Sequence, residues 1–183
     1  AGTPGFELMQ RAAPAAWRAV RRGWPQAGEI SVLAGSGNNA GDAYLLAALA
    51  QKAGWAVRVL ALGEPAQLRG DAARACGEAR AVGVAIEAWR AEVELRGVVV
   101  DGLLGTGFHG ALREPYAAAI EQINASGLPV LALDLPSGLN ADNGQVAEQA
   151  VRADLTVSFI GLKLGLFTGD APDWIGELQF DDL

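Results

Sequence analysis

Phe6, Met9, Ala13, Ala16, Trp17 and Val20 recur every three or four residues. That period predicts an amphipathic helix with one face on a core, ended by Gly23, Trp24 and Pro25. Glu29–Ala34 is a short apolar run with β-branched residues, closed by the glycine-rich stretch Gly35–Gly41, which reads as strand and loop. A helix from Asp42 to about Lys52, a strand over Ala56–Leu62 and an alanine-rich helix over Glu64–Ala81 come next. Gly97–Leu104 predicts a third strand, Glu114–Ser126 a helix and Pro129–Asp134 a fourth strand, with later strands at Asp154–Ile160 and Glu177–Phe180.

Helices and strands in turn predict an α/β fold. Val98-Val99-Val100 and Val130-Leu131-Ala132-Leu133 are apolar at every position, as strands buried on both faces of a mostly parallel sheet are. The expectation is one domain over residues 1–183, with no internal repeat and no linker. The chain opens at Ala1 rather than Met, so some upstream residues are expected to be lacking. Ligands of such sheets bind at the carboxyl ends of the strands, near the point where strand order reverses.

Composition limits the possible partners. A net charge of -7 argues against nucleic acid, because neutralising phosphates takes clustered Lys and Arg. Arg18, Arg21 and Arg22 come closest to such a cluster, but they sit near the end of the first predicted helix, where cations complement the helix dipole. No apolar stretch approaches the ~20 residues needed to cross a bilayer, and no secretory leader is evident, so no membrane partner is expected. Cys76 is the only cysteine, which excludes an internal disulfide and fits a reducing cytoplasm, the expected location.

Three strand ends carry the candidate chemistry. The first reads Gly35-Ser36-Gly37-Asn38-Asn39-Ala40-Gly41-Asp42, a G-x-G-x-x-[GA] pattern that is weak alone and sharpened by two amides and a carboxylate. The amides offer carbonyl oxygens to a hard cation and NH groups to phosphate or ribose. The plainer alternative is that Asn38 or Asn39 tolerates a left-handed backbone and Asp42 caps the helix. The second end, Asp101-Gly102-Leu103-Leu104-Gly105-Thr106-Gly107-Phe108-His109-Gly110, sets a carboxylate before a loop whose backbone NH groups can form an anion-binding nest; a flexible surface loop is the alternative. The third, Asp134-Leu135-Pro136-Ser137-Gly138, places a second carboxylate and a hydroxyl where a raised pKa suits acid–base work, or where Asp-x-x-Ser merely satisfies its own turn.

These motifs, in this order, resemble the YjeF N-terminal-like domain family. Gly35–Asp42 is similar to its G-x-G-N-N-G-G-D loop, Asp101–Gly110 to its D-x-x-x-G-T-G loop, and Leu131–Gly138 to its strand ending D-x-P-S-G. Asp154–Ile160 followed by Lys163-Leu164-Gly165 is similar to its T-V-x-F segment and K-x-G, so the resemblance spans nearly the whole chain. It implies a Rossmann-like three-layer α/β/α sandwich and an isomerase that epimerises hydrated NADH and NADPH. It further implies a potassium ion on Asn39, Asp101 and Ser137, and substrate contacts from Asn38, Asn39, Ala40, Gly41 and Asp42 and from Gly105, Thr106, Gly107, Phe108, His109, Gly110 and Ala111. Asp134 would touch substrate and transfer the proton. A homodimer and a fused or separate ADP- or ATP-dependent dehydratase are the implied partners. The sequence departs from the family's pattern at Ala40 and Ala43, where glycine is expected; a positive φ there would make each alanine cost ~1 kcal/mol.

Two other readings use the same residues. An ordinary nicotinamide-dependent oxidoreductase would want a Tyr-Lys pair or a placed His, and only Tyr44, Tyr116 and His109 are available. A noncatalytic dimeric scaffold, of the kind found in mRNA-decapping enhancers, would tolerate Ala40 and Ala43 but has no use for Asn39, Asp101, Asp134 and Ser137. Lys163 or a loop arginine is a candidate reader of an extra ribose phosphate, and Glu64 a candidate reader of the ribose itself.

Overall fold

The computed structural model describes residues 3–146 and 148–183; positions 1, 2 and 147 of the expected domain lie outside the described residues. Helix α1 (Gly5–Gly23) precedes β1 (Glu29–Ala34), α2 (Asn38–Lys52), β2 (Ala56–Ala61), α3 (Gly70–Ala81) and β3 (Ala85–Ala88). After β4 (Val98–Gly102) come α4 (Tyr116–Ala125), β5 (Val130–Leu133), β6 (Leu155–Phe159) and β7 (Glu177–Asp181). The strands form one sheet in the order β3-β2-β1-β4-β5-β6-β7. Every pairing in it is parallel.

Strand alternation divides the core. Ile30, Val32 and Ala34 of β1, Val98 and Val100 of β4, and Leu155, Val157 and Phe159 of β6 join the helices α1, α2 and α3 in one cluster. Leu33, Val99 and Val130 turn the other way and meet Ile120 and Ile123 of α4. Period-two side chains on a fully covered sheet produce this two-sided burial. Right-handed crossovers running in opposite directions from β1 and β4 then put α2 and α3 on one face and α4 on the other. The strand order therefore reverses between β1 and β4, which leaves a crevice at their carboxyl ends.

Three local expectations are corrected. Helix α2 starts at Asn38 rather than Asp42, because Gly37 alone supplies the extended N-cap. The helix expected over Glu64–Ala81 is split into a short 3-10 helix at Pro65–Gln67 and α3, since Pro65 favours a first turn and Gly70 takes φ +55°. Strand β3 was not expected: it is a half-exposed edge of four residues, too short to show a period. Helix α1 runs on through Pro14, which costs about 3 kcal/mol in a helix interior, because Phe6, Met9, Trp17 and Val20 bury a stripe along its whole length.

Candidate active site

The ends of β1 and β4 touch directly. Gly35 N–H donates to Gly102 O at 3.1 Å, and a Cβ on Gly35 would stand 1.9 Å from Leu103 O, so only glycine fits between the two loops. The chain then enters α2 at once. Asn38 and Asn39 are helical rather than left-handed, and Asp42 lies in the second turn, where it caps nothing. Ala40 and Ala43 are helical and buried, so neither carries the positive-φ cost. Ala43 instead packs on Gly102, where a Cβ would come within 2.4 Å of its own.

Beneath this junction Asp101, at the end of β4, is fully buried. Its Oδ1 accepts from Ser137 Oγ at 2.6 Å and Leu103 N at 3.2 Å, and its Oδ2 accepts from Ser137 N at 2.8 Å. Burial pushes the carboxyl up to about 6, against the lowering pull of the Ser137 and Leu103 donors. Ser137 Oγ also accepts from Leu104 N at 2.9 Å, and Leu104 O accepts from Asn39 Nδ2 at 2.8 Å. Leu104 thus ties the three residues expected to hold an ion into one buried knot.

Asn39 Oδ1 is buried with no hydrogen-bond partner among the described residues. Leu104 O fixes which way the amide points, so this carbonyl oxygen is left over. Leaving a buried acceptor unpaired costs about 1–3 kcal/mol, and an oxygen-binding cation would relieve that cost. An amide oxygen, a carboxylate and a hydroxyl, all oxygen donors joined in one buried network through Leu104, match the donor chemistry of a hard monovalent ion.

Asp134 follows β5 and takes φ 65°, a left-handed conformation that Asp tolerates better than most residues. The turn hands its backbone N–H to Val157 O at 2.7 Å and throws the side chain towards the end of β6. There Oδ1 accepts from Lys163 Nζ and from Phe159 N at 3.1 Å. Lys163 Nζ also donates to Ser158 Oγ at 3.2 Å and Phe159 O at 2.8 Å, so all three of its protons are committed within the protein and none is left to read a ribose phosphate. Oδ2 of Asp134 has no partner among the described residues. Ile160, just after β6, also takes a positive φ, of 67°, unusual for a β-branched residue, and it lines the same space.

That space is a crevice with two lobes. The first, about 390 Å³, lies between Leu8, Met9 and Ala12 of α1 and Ile160 and Lys163 beyond β6. The second, about 510 Å³, lies between the start of α2 and the Gly105–His109 loop. Asn38, Asp42, Thr106 and Asp134 line both lobes and form the waist between them. Volumes of this order suit a small-molecule ligand.

Of the residues expected at the site, Asn38, Asn39, Asp42, Gly105, Thr106, Gly107, Phe108, His109 and Asp134 line the second lobe. Asp101 and Ser137 lie buried beneath its floor. Ala40 and Gly41 are buried inside α2, off the crevice; a Cβ on Gly41 would strike Met9 at 2.5 Å, so this glycine serves helix packing. Gly110 and Ala111 are exposed further along the loop, outside both linings. Glu64 lines neither lobe. The sequence reading did not foresee the α1 wall, nor Lys163 as partner of Asp134; the K-x-G spacing marked that lysine without saying what it meets.

Tyr44 is buried in the core, and Tyr116 lines the second lobe while Lys163 is bound to Asp134. The Tyr-Lys pairing of an ordinary oxidoreductase is therefore not assembled. Among the described residues no helix is long and apolar enough to cross a membrane.

Comparison with known proteins gives a consistent picture. The bifunctional NAD(P)H-hydrate repair enzyme Nnr of Coxiella burnetii is 45% identical over the whole chain, and that of Escherichia coli is 42% identical over 97% of it. The chain spans 38% and 35% of the length of these two relatives. The NAD(P)H-hydrate epimerase of Legionella pneumophila is 32% identical, with 97% of this chain and 69% of that protein covered. The crystal structure of yeast ynu0 (YNL200c) shares the fold with a TM-score of 0.80 at 21% identity, over 90% of this chain and 74% of that one. Residues 5–165 match the family described as YjeF-related protein N-terminus, and with its three strand-end motifs assembled around one crevice this chain belongs to that family.

Proposed function

We propose that the chain is an NAD(P)H-hydrate epimerase, interconverting the R and S forms of hydrated NADH and NADPH. The observation that carries this reading is Asp134: a carboxylate held on one oxygen by Lys163 and Phe159 N, with the other oxygen unpartnered, at the waist of a crevice at the sheet's switch point. The names of the relatives in Coxiella burnetii and Legionella pneumophila support the substrate.

The chemistry asks for little. The hydrated ring carries its hydroxyl on a carbon next to the ring nitrogen. When the C–O bond breaks, its electron pair leaves with oxygen, a proton makes that oxygen water, and the nitrogen lone pair forms C=N. The stereocentre is erased, and water added from the other face completes the inversion. Asp134 carries protons between the carboxylate and the reacting oxygen, and proton transfer from a positioned group contributes about 10²–10⁴-fold in rate. Helix α2 has no side-chain cap, and while the Ala40 N–H donates to Gly37 O, the N–H groups of Asn38 and Asn39 are available to the substrate's diphosphate. The apolar wall of Leu8, Met9 and Ala12 excludes water from the ring.

Asn39, Asp101 and Ser137 would hold a potassium ion, which supplies a fixed positive charge under the second lobe and rigidifies the loop after β4. In this reading a dehydratase, fused in a longer chain or separate, consumes one epimer, as the bifunctional names of the relatives suggest. A homodimer and a cytoplasmic setting belong to the same reading; the buried free Cys76 accords with the second. Asp134→Asn tests the assignment: epimer exchange followed by chromatography falls to background while dinucleotide binding persists. Unchanged exchange removes Asp134 from the reaction.

A further inference from the structure

Asp42 is the other carboxyl at the waist. It projects from the second turn of α2, whereas Asp134 stands after β5, so the two reach the waist from different elements. Asp42 makes no hydrogen bond or ion pair among the described residues, although it is mostly buried. Its oxygens open on the crevice rather than lying sealed within the protein, so the carboxyl is free to meet a ligand there.

We propose that Asp42 is a second proton-transfer group of this site, donating where Asp134 accepts. The inference rests on the epimerase reading and adds a division of labour. An epimerase must handle oxygen on both faces of one ring carbon, and two carboxyls from different walls meet that need where one would have to swing. In one direction the Asp42 carboxyl gives its proton to the departing hydroxyl, the C–O pair leaves as water, and the ring nitrogen forms C=N. Water then adds from the opposite face and gives its proton to the Asp134 carboxylate. The pair ends with the proton on Asp134, ready for the other epimer, and a proton passed back to Asp42 resets it. No oxidant or reductant is consumed.

The electrostatics agree. Burial, then the neighbouring Asp134 charge, pushes the Asp42 carboxyl up to about 8, with Lys163 pulling the other way. Asp42 thus keeps its proton at neutral pH while Asp134 sits in an ion pair with Lys163. The groups facing Asp42 are Asp134, Lys163, Asp71 of α3 in the first lobe and His109 in the second; α1 contributes no titratable side chain there. Two carboxyls in one site with unlike environments divide naturally into acid and base.

Asp42→Asn decides it, because the amide keeps the shape and a hydrogen-bond donor but cannot release a proton. The experiment measures kcat and KM for epimer exchange against pH in the wild type and the variant. The expected result is a wild-type kcat that falls above about pH 8, and a variant with kcat lowered about 10²-fold or more at a KM within about threefold. A variant that keeps wild-type kcat shows that Asp42 only binds and overturns the inference while leaving the epimerase reading intact. Should the variant fail to fold, the wild-type profile decides alone: a kcat flat across pH 7 to about 10 overturns the proposal. A wild type with no exchange at all overturns the epimerase reading itself.

Discussion

Lys163 Nζ donates to Asp134 Oδ1, a contact between residues 29 positions apart that locks one carboxylate oxygen and leaves the other to the crevice. Both side chains are mostly buried, at 17% and 18% exposure, and the lysine spends its remaining protons on Ser158 Oγ and Phe159 O. Lys163 is thus a positioning residue that aims Asp134, with no proton left to donate to substrate. Lys163→Met is expected to lower kcat about 10- to 100-fold, the order of loss for a displaced catalytic group and below the full contribution of proton transfer, with KM changed less than about threefold. Steady-state exchange kinetics read that split; a rise in KM at constant kcat would assign Lys163 to binding instead.

The Asp42 carboxyl sets a pH dependence of stability with a definite sign. Its folded value, about 8, lies above its ordinary value of 3.8, so the folded protein binds this proton more tightly than the unfolded chain. The stability it contributes is complete below about pH 4 and is lost as pH rises through about 8. Asp42→Asn removes the titration. Thermal melts of both proteins should show a gap in favour of the variant that widens from acid pH to about pH 8 and levels off above it. A gap independent of pH would place the Asp42 carboxyl at its ordinary value.

Ala43 and Gly102 are a matched pair. Ala43 stands where the family pattern has glycine, and its methyl group fills the space into which a Cβ on Gly102 would project at 2.4 Å. Gly102→Ala should cost about 1–3 kcal/mol through overpacking, and Ala43→Gly about 1 kcal/mol through helix propensity. The double substitution should cost less than the sum by about 1 kcal/mol or more, since contacting residues couple. Denaturant titration of the four proteins measures the coupling; strict additivity would mean that the crowding is relieved elsewhere.

Much of this arrangement was legible in the sequence because Val98–Val100 of β4 and Val130–Leu133 of β5 are unbroken apolar runs, as strands buried on both faces are. Asp101, Asp134 and the Gly35–Asp42 loop announced themselves as polar or glycine positions at the ends of such runs. Strand β3 did not, because a half-exposed edge of four residues carries no period. The start of α2 was misplaced because two asparagines read as loop, yet they are helical behind an extended Gly37. The role of Lys163 depends on β6 lying beside β5, a fact of topology that no local pattern contains. Likewise the alanines at 40 and 43 looked costly only while their backbone was unknown; within a helix they are the favoured residues.

Exchange between R and S NADHX by the purified chain, followed by chromatography with potassium and with potassium replaced by choline, tests the central claim most directly. Exchange well above the uncatalysed rate, and faster with potassium, is the outcome this account requires. No exchange above the uncatalysed rate in either salt would contradict it and reduce the crevice to a binding site.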